Sequence, residues 1–104
     1  MEKDVEKYLV DGVKKMGGLC LKWVCPGNDG VPDRIVIMPG GHVWFVELKE
    51  VHGRLSPLQR YWRETLFDMG CKAVVLRGRQ MVTLFLSTLR DVYEEEARRD
   101  QDDL

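Results

Sequence analysis

The chain has 104 residues, of which 44% are hydrophobic and 32% are charged. This length supports one small core and so one domain, and the hydrophobic content excludes an intrinsically disordered chain. No apolar run is long enough to span a membrane, and we expect no signal peptide because the charged N-terminus (MEKD) runs directly into an amphipathic pattern. Three cysteines are an odd number, which favours a reducing, cytoplasmic setting over a disulfide scaffold.

Charge is distributed unevenly along the chain. The formal net charge of −1 by itself disfavours a nucleic-acid partner, but residues 94–104 (EEEARRDQDDL) carry a balance of −4. The remaining 93 residues are therefore modestly basic, at +3, which is compatible with DNA. We predict one domain over residues 1–93 and an acidic tail over 94–104 that is frayed helix or disordered.

Hydrophobic periodicity and turn signals predict seven elements in the order α-β-β-β-α-β-α. The predicted helices cover residues 2–16, 57–69 and 79–93, and the predicted strands cover 19–25, 33–38, 42–49 and 72–76. Ser56 and Pro57 mark the start of the second helix as N-cap and first helical residue. Because that helix is a crossover, the fourth strand is expected to lie parallel to the third in a mixed sheet.

The third predicted strand carries two charged residues at its end. Side chains alternate along a strand, so Glu47 and Lys49 share one face. A hairpin turn at residues 39–41 would place Asp33 opposite Glu47, within one residue. Burying such charges is costly unless they are used. The pattern therefore predicts a site at the open end of the hairpin, although a turn-initiating aspartate beside a surface Glu–Lys pair is the alternative.

Two carboxylates with open water positions suit a hard divalent cation, Mg²⁺ or Mn²⁺, and the backbone carbonyl of Leu48 could add a neutral ligand. Such a metal activates water and polarises a phosphodiester. Lys49 could hold or help to deprotonate the water. Gln59, in the first turns of the following helix, could orient the water or a phosphate oxygen near that helix N-terminus.

The first helix offers a further carboxylate as a metal ligand. At 100° per residue, Glu2 lies closer than Glu6 to the centre of the apolar stripe. Glu2 is the more inward of the two, and Glu6 stays open.

Three segments together resemble one known family: residues 30–34 (GVPDR), 47–49 (ELK) and 55–59 (LSPLQ). They are similar to the VRR-NUC family of virus-type replication-repair nucleases, in the PD-(D/E)xK superfamily, and the resemblance covers about residues 2–90. It implies a restriction-endonuclease-like α/β fold, with a mixed sheet flanked by helices, and a phage- or bacterium-type protein. The family's catalytic positions match Asp33, Glu47 and Lys49, with Gln59 as the downstream glutamine.

The resemblance implies a Mg²⁺- or Mn²⁺-dependent DNA endonuclease, structure-selective on branched DNA like a Holliday-junction resolvase. A homodimer is expected, its interface formed by the apolar face of the third strand (Trp44, Val46) or by the last helix. No organic cofactor and no membrane partner are expected. The alternatives are a same-fold exonuclease, a restriction-type nuclease, or a DNA-binding module without catalysis.

Basic and polar residues around these motifs are the candidate contacts to the DNA backbone. They are Lys22, Arg34, Arg54, Ser56, Arg60 and Arg63. Arg54 is the strongest candidate because it lies in the loop just before the glutamine helix. Arg60 and Arg63 could equally form a solvated helix face.

Overall fold

A computed structural model describes residues 3–102, and within that range all side chains except those of residues 97, 98 and 100–102. The elements follow the predicted order: α1 (Lys3–Lys15), β1 (Leu19–Lys22), β2 (Arg34–Met38), β3 (His42–Lys49), α2 (Pro57–Asp68), β4 (Lys72–Arg77) and α3 (Gly78–Asp102). No helix in this part of the chain is long and apolar enough to cross a membrane.

Two boundaries differ from the prediction by more than one residue. β1 ends at Lys22 rather than at residue 25. Residues 23–25 lead into a turn at Pro26 and Gly27, where the Asn28 amide donates to the Cys25 carbonyl at 3.1 Å. α3 continues past residue 93 to Asp102, through most of the segment predicted as frayed or disordered. Arg99 pairs with Glu95 one helical turn away, which favours this continuation. The division into 1–93 and 94–104 stays a prediction.

The four strands form one sheet in the order β1-β2-β3-β4. β1, β2 and β3 are antiparallel neighbours, and β4 lies parallel to β3, as the crossover predicted. The predicted mixed sheet flanked by helices is confirmed. The register pairs Arg34 with Val46 at one end of the β2–β3 hairpin and Met38 with His42 at the turn.

Helices α1 and α3 cover one face of the sheet and form the main core with it. Its largest fully buried side chains are Leu9, Val13, Val36, Val46, Val82 and Leu89. The two helices approach closely at Gly12, where an added Cβ would lie 2.5 Å from Leu86 Cδ1. Trp44 and Val46 belong to this covered face, since Trp44 packs edge-on against Phe85 of α3. This face is therefore covered within the chain and does not offer the first of the two expected dimer interfaces. The second, the last helix, stays a prediction.

The opposite face is covered by α2, which packs mainly against β4. Leu66 of α2 and Ala73 of β4 are buried outside the main core. Leu19 and Leu21 of β1 and Val43 of β3, on the same face, stay exposed. This partial cover leaves a gap between the N-terminus of α2 and the open end of the β2–β3 hairpin.

Candidate active site

Asp33 immediately precedes β2, at the open end of the hairpin. The register, extended one step beyond the Arg34–Val46 pair, places it opposite Glu47. The Leu48 amide donates to Asp33 Oδ2 at 2.9 Å, and the Asp33 carbonyl accepts from the Trp23 amide at 3.0 Å. These two bonds hold the aspartate to β3 and to the residue that follows β1.

Glu47 carries a buried carboxylate. Only 3% of the residue is exposed, and neither carboxylate oxygen has a hydrogen-bond partner among the residues that the structure describes. Burial raises the pKa of Glu47 to about 8, and the nearby Asp33 carboxylate adds to this rise, whereas Lys49 opposes it. A buried acid of this kind is destabilising unless a cation or proton neutralises it.

Gln59 is positioned by the first turn of α2. Its backbone amide donates to Ser56 Oγ at 3.2 Å, and its side-chain Oε1 accepts from the Ser56 amide at 2.9 Å. This reciprocal capping box fixes the side-chain amide through its oxygen. No hydrogen bond of Gln59 Nε2 occurs within the part of the chain that the structure describes, and the Ser56 hydroxyl is engaged as the cap.

The loop before Asp33 is packed against the same turn of α2. Gly30 adopts φ +87°, and an added Cβ there would lie 2.6 Å from Leu58 Cβ. Trp62 Nε1 donates to the Asp29 carbonyl at 3.1 Å. Sequence reasoning identified a loop here but missed this contact, for which the tight Gly-rich turn was the only signal. The loop thereby couples the position of Asp33 to that of Gln59.

These groups border one cleft of about 320 Å³. It is lined by Glu6, Lys22, Trp23, Val31, Asp33, Glu47, Leu48, Lys49 and Gln59. The structure thus brings together both candidate carboxylates of the hairpin, the lysine and the glutamine. Trp23 and Val31, which sequence reasoning did not assign to the site, form part of its wall.

The structure describes only one of the two N-terminal candidate ligands, Glu2 and Glu6. Glu2 lies outside the described residues. Glu6 lines the cleft, and its Oε1 accepts from Arg34 Nε at 3.0 Å and Nη2 at 2.6 Å. Arg34, with 17% of its side chain exposed, also donates to the Cys20 carbonyl at 3.3 Å. Its guanidinium is engaged within the fold, so the position does not favour a DNA contact.

Four of the other candidate DNA contacts lie outside the wall of the cleft: Arg54, Ser56, Arg60 and Arg63. Arg54 and Arg60 are exposed. Arg63 is half-buried, with its guanidinium 5.7 Å from the centre of the Phe67 ring, and its Nε is buried without a partner in the described part of the chain. Lys22, by contrast, is exposed and borders the cleft.

The side chains of the cleft can be compared with the ligands that divalent cations prefer. Within residues 3–102, no group of three or more His, Cys, Asp or Glu side chains is arranged to hold a metal. The hairpin does bring two carboxylates together, and both oxygens of Glu47 lack hydrogen-bond partners among the described side chains and backbone. An all-oxygen set completed by water fits a hard ion such as Mg²⁺ rather than Zn²⁺, which prefers nitrogen and sulfur ligands.

Comparisons with known proteins agree with this geometry. The family model of the VRR-NUC domain matches residues 22–80, a range that contains Asp33, Glu47, Lys49 and Gln59. A protein of Acyrthosiphon pisum secondary endosymbiont phage 1, named "Putative nuclease p44", is 39% identical over 83 residues, which are 80% of this chain and 89% of that protein. A solved structure described as a VRR_NUC domain is 31% identical, with a TM-score of 0.78 over 83% of this chain and 94% of its own. The chain therefore belongs to the VRR-NUC family of nuclease domains.

Proposed function

We propose that this protein is a Mg²⁺- or Mn²⁺-dependent endonuclease that hydrolyses phosphodiester bonds of DNA. The observation that carries the proposal is Glu47, a buried carboxylate beside Asp33 in an open cleft. Neither of its oxygens has a hydrogen-bond partner in the described part of the chain. Membership of the VRR-NUC family and the name of the phage relative support a nuclease.

Asp33 and Glu47 are the proposed carboxylate ligands, with the Leu48 carbonyl as a neutral third. When bound, the metal supplies an activated water and polarises the scissile phosphate. Lys49, on the same strand face as Glu47, holds the attacking water and offsets negative charge on the phosphate. Asp33 is preset for this role, because the Leu48 amide already fixes one of its oxygens.

Gln59 is proposed to bind a phosphate oxygen or the water through Nε2. Its Oε1 is held by the Ser56 amide, so the direction of the amide group is set before the substrate arrives. The N-terminus of α2 adds a favourable partial positive charge for a phosphate.

The acid from α1 is proposed to be Glu6 or Glu2. Glu6 already borders the cleft, and Arg34 binds one of its oxygens and leaves the other. Arg34 is in that case a positioning residue for Glu6.

The substrate is proposed to be branched DNA cut by a homodimer. Two sites related by a two-fold axis suit a symmetric junction, and one small domain offers a small footprint on DNA. No separate base-reading element follows from the sequence, which disfavours restriction-type specificity. Because Trp44 packs against α3 and Val46 is buried in the core, that dimer would use another surface.

A cleavage panel tests this proposal. Labelled four-way, flapped and linear duplex DNA is incubated with Mg²⁺, Mn²⁺ or EDTA, with Asp33→Asn as the matched inactive control. We expect internal cuts, fastest on branched DNA, that need the metal and Asp33. Stepwise loss of nucleotides from linear ends would instead indicate an exonuclease. DNA binding without cleavage under any condition would indicate a module without catalysis.

A further inference from the structure

Arg77 is a basic residue beside the cleft that the sequence motifs do not include. It is the last residue of β4 and lies in register with Lys49 of the parallel strand β3. Paired residues of neighbouring strands share a face, so Arg77 lies on the same side of the sheet as Glu47. Because β2 and β4 flank β3, Arg77 and Asp33 lie on opposite sides of Lys49.

Arg77 is tied to the turn that leaves the active-site strand. Its Nε donates to the Gly53 carbonyl at 2.9 Å, and the Gly53 amide donates to the Glu50 carbonyl at 2.9 Å. The next residue, Gly78, has φ +82°, and an added Cβ there would lie 2.6 Å from Val51 Cγ2. The turn over residues 50–53 is thereby held against the β4–α3 junction at two points.

The remaining donors of Arg77 have no assigned partner. The side chain is half-buried, and no ion pair or hydrogen bond of its Nη1 and Nη2 occurs among the groups that the structure describes. A guanidinium with one nitrogen anchored and two nitrogens available is preorganised for a phosphate. If Arg77 served only to support the 50–53 turn, its Nε bond to the Gly53 carbonyl would be sufficient.

We propose that Arg77 and the 50–53 turn form a second phosphate-binding subsite, which holds a DNA backbone phosphate next to the scissile one. The inference rests on the proposed function, since it takes DNA as the substrate. In this arrangement Lys49 faces the reacting phosphate. Arg77 binds its neighbour, and the turn fixes the spacing between the two cations.

The test measures how salt affects DNA binding. Full-length wild type, Arg77→Gln and Arg77→Lys are titrated with labelled DNA in EDTA over a salt series, with unfolding temperatures measured in parallel. The control is Arg90→Gln, an exposed arginine beside Met38 and Pro39 at the far end of the sheet, which removes the same charge. Each phosphate contact contributes about one to the slope of log K against log salt.

We expect Arg77→Gln to lower the magnitude of this slope by about 1 and to weaken binding roughly tenfold, with KM raised more than kcat is lowered. Arg77→Lys should keep the slope because it keeps the charge, and Arg90→Gln should match wild type. An unchanged slope in Arg77→Gln, or an equal loss in Arg77→Lys, would overturn the subsite and leave Arg77 as a support of the turn. Absence of metal-dependent cleavage by wild type would instead reject the proposed function, whatever the slopes.

Discussion

Glu47 combines two properties that conflict in a protein without bound metal. It lies on a mostly apolar strand and is almost fully buried, yet it has no donor for its charge within the described residues. Asp33, opposite it, is exposed and accepts a backbone amide. The two acids therefore differ in their surroundings: a backbone amide holds Asp33 in place, whereas the charge of Glu47 would need the proposed cation to neutralise it.

Asp33→Asn and Glu47→Gln should each lower cleavage by on the order of 10³-fold, because each removes a charge that holds the metal. DNA binding in EDTA should be retained, because neither change removes a cation. Cleavage rates and DNA titrations on the same preparations check this. Cleavage by either variant at the wild-type rate would contradict the metal assignment.

The pKa of Glu47 predicts how stability depends on pH without metal. Burial raises this pKa from the ordinary 4.5 to about 8, so between these values the folded state binds more protons than the unfolded state. The free energy of unfolding should therefore fall as pH rises from 5 to 8, by about 1–3 kcal/mol. Glu47→Gln should remove most of this fall, as measured by urea unfolding in EDTA.

Glu64→Gln, at an exposed position of α2, is the control for this pH dependence. It should keep the wild-type fall between pH 5 and 8. An equal fall in Glu47→Gln would mean that another group is responsible.

Lys49→Ala should lower turnover more than it lowers metal affinity, because the ammonium acts on water and phosphate rather than as a ligand. Turnover is measured by cleavage of labelled DNA, and affinity by calorimetric titration with Mn²⁺. If Lys49→Ala cleaved DNA at the normal rate but bound Mn²⁺ much more weakly, the proposed action of Lys49 on water and phosphate would be contradicted.

At the level of elements, the site depends on how a loop and a helix are joined. The capping box at Ser56 and Gln59 is encoded locally, and the motif predicted the helix start that the structure shows. The packing of Gly30 against Leu58 joins residues far apart in the chain. It sets the distance between the hairpin and α2, and so the width of the cleft.

Gly30→Ala should destabilise the protein by about 2 kcal/mol and reduce cleavage, because the methyl group would displace the first turn of α2. Gly27→Ala is a matched control: its φ is +83°, but an added Cβ there meets nothing within 4 Å. It carries the same backbone strain without the contact. Urea unfolding and cleavage rates of the two variants compare them. Equal effects would show that the contact with Leu58 is unimportant.

At the scale of the whole molecule, the acidic C-terminal segment has two effects. Its negative charge disfavours DNA binding, and its residues lengthen α3. Residues 94–102 continue α3, and His42 Nε2 lies 2.9 Å from Glu96 Oε1. Tyr93 meanwhile accepts from Trp44 Nε1 and stacks on His42. The segment after Tyr93 is thus attached to the turn end of the hairpin, away from the cleft.

Removal of residues 94–104 should strengthen DNA binding, because it removes a charge of −4. Cleavage should be retained, with a loss of stability of about 1 kcal/mol from the His42–Glu96 contact. DNA titration and thermal unfolding of the truncated chain measure both effects. Collapse of the fold would show that the segment is a structural part of the domain.

Local patterns in the amino-acid sequence determined the order of the elements, the hairpin and the parallel fourth strand. They could do so because strand alternation, helix caps and turn residues act over a few positions. The family motifs were likewise visible in short segments of the sequence. They also predicted that Asp33 would face Glu47. Only the tertiary structure decided that Arg34 is engaged by Glu6, that Arg77 holds the turn after Lys49, and that α3 covers Trp44. These are contacts between segments 20 or more residues apart. They depend on how whole elements pack, and no short-range pattern encodes that.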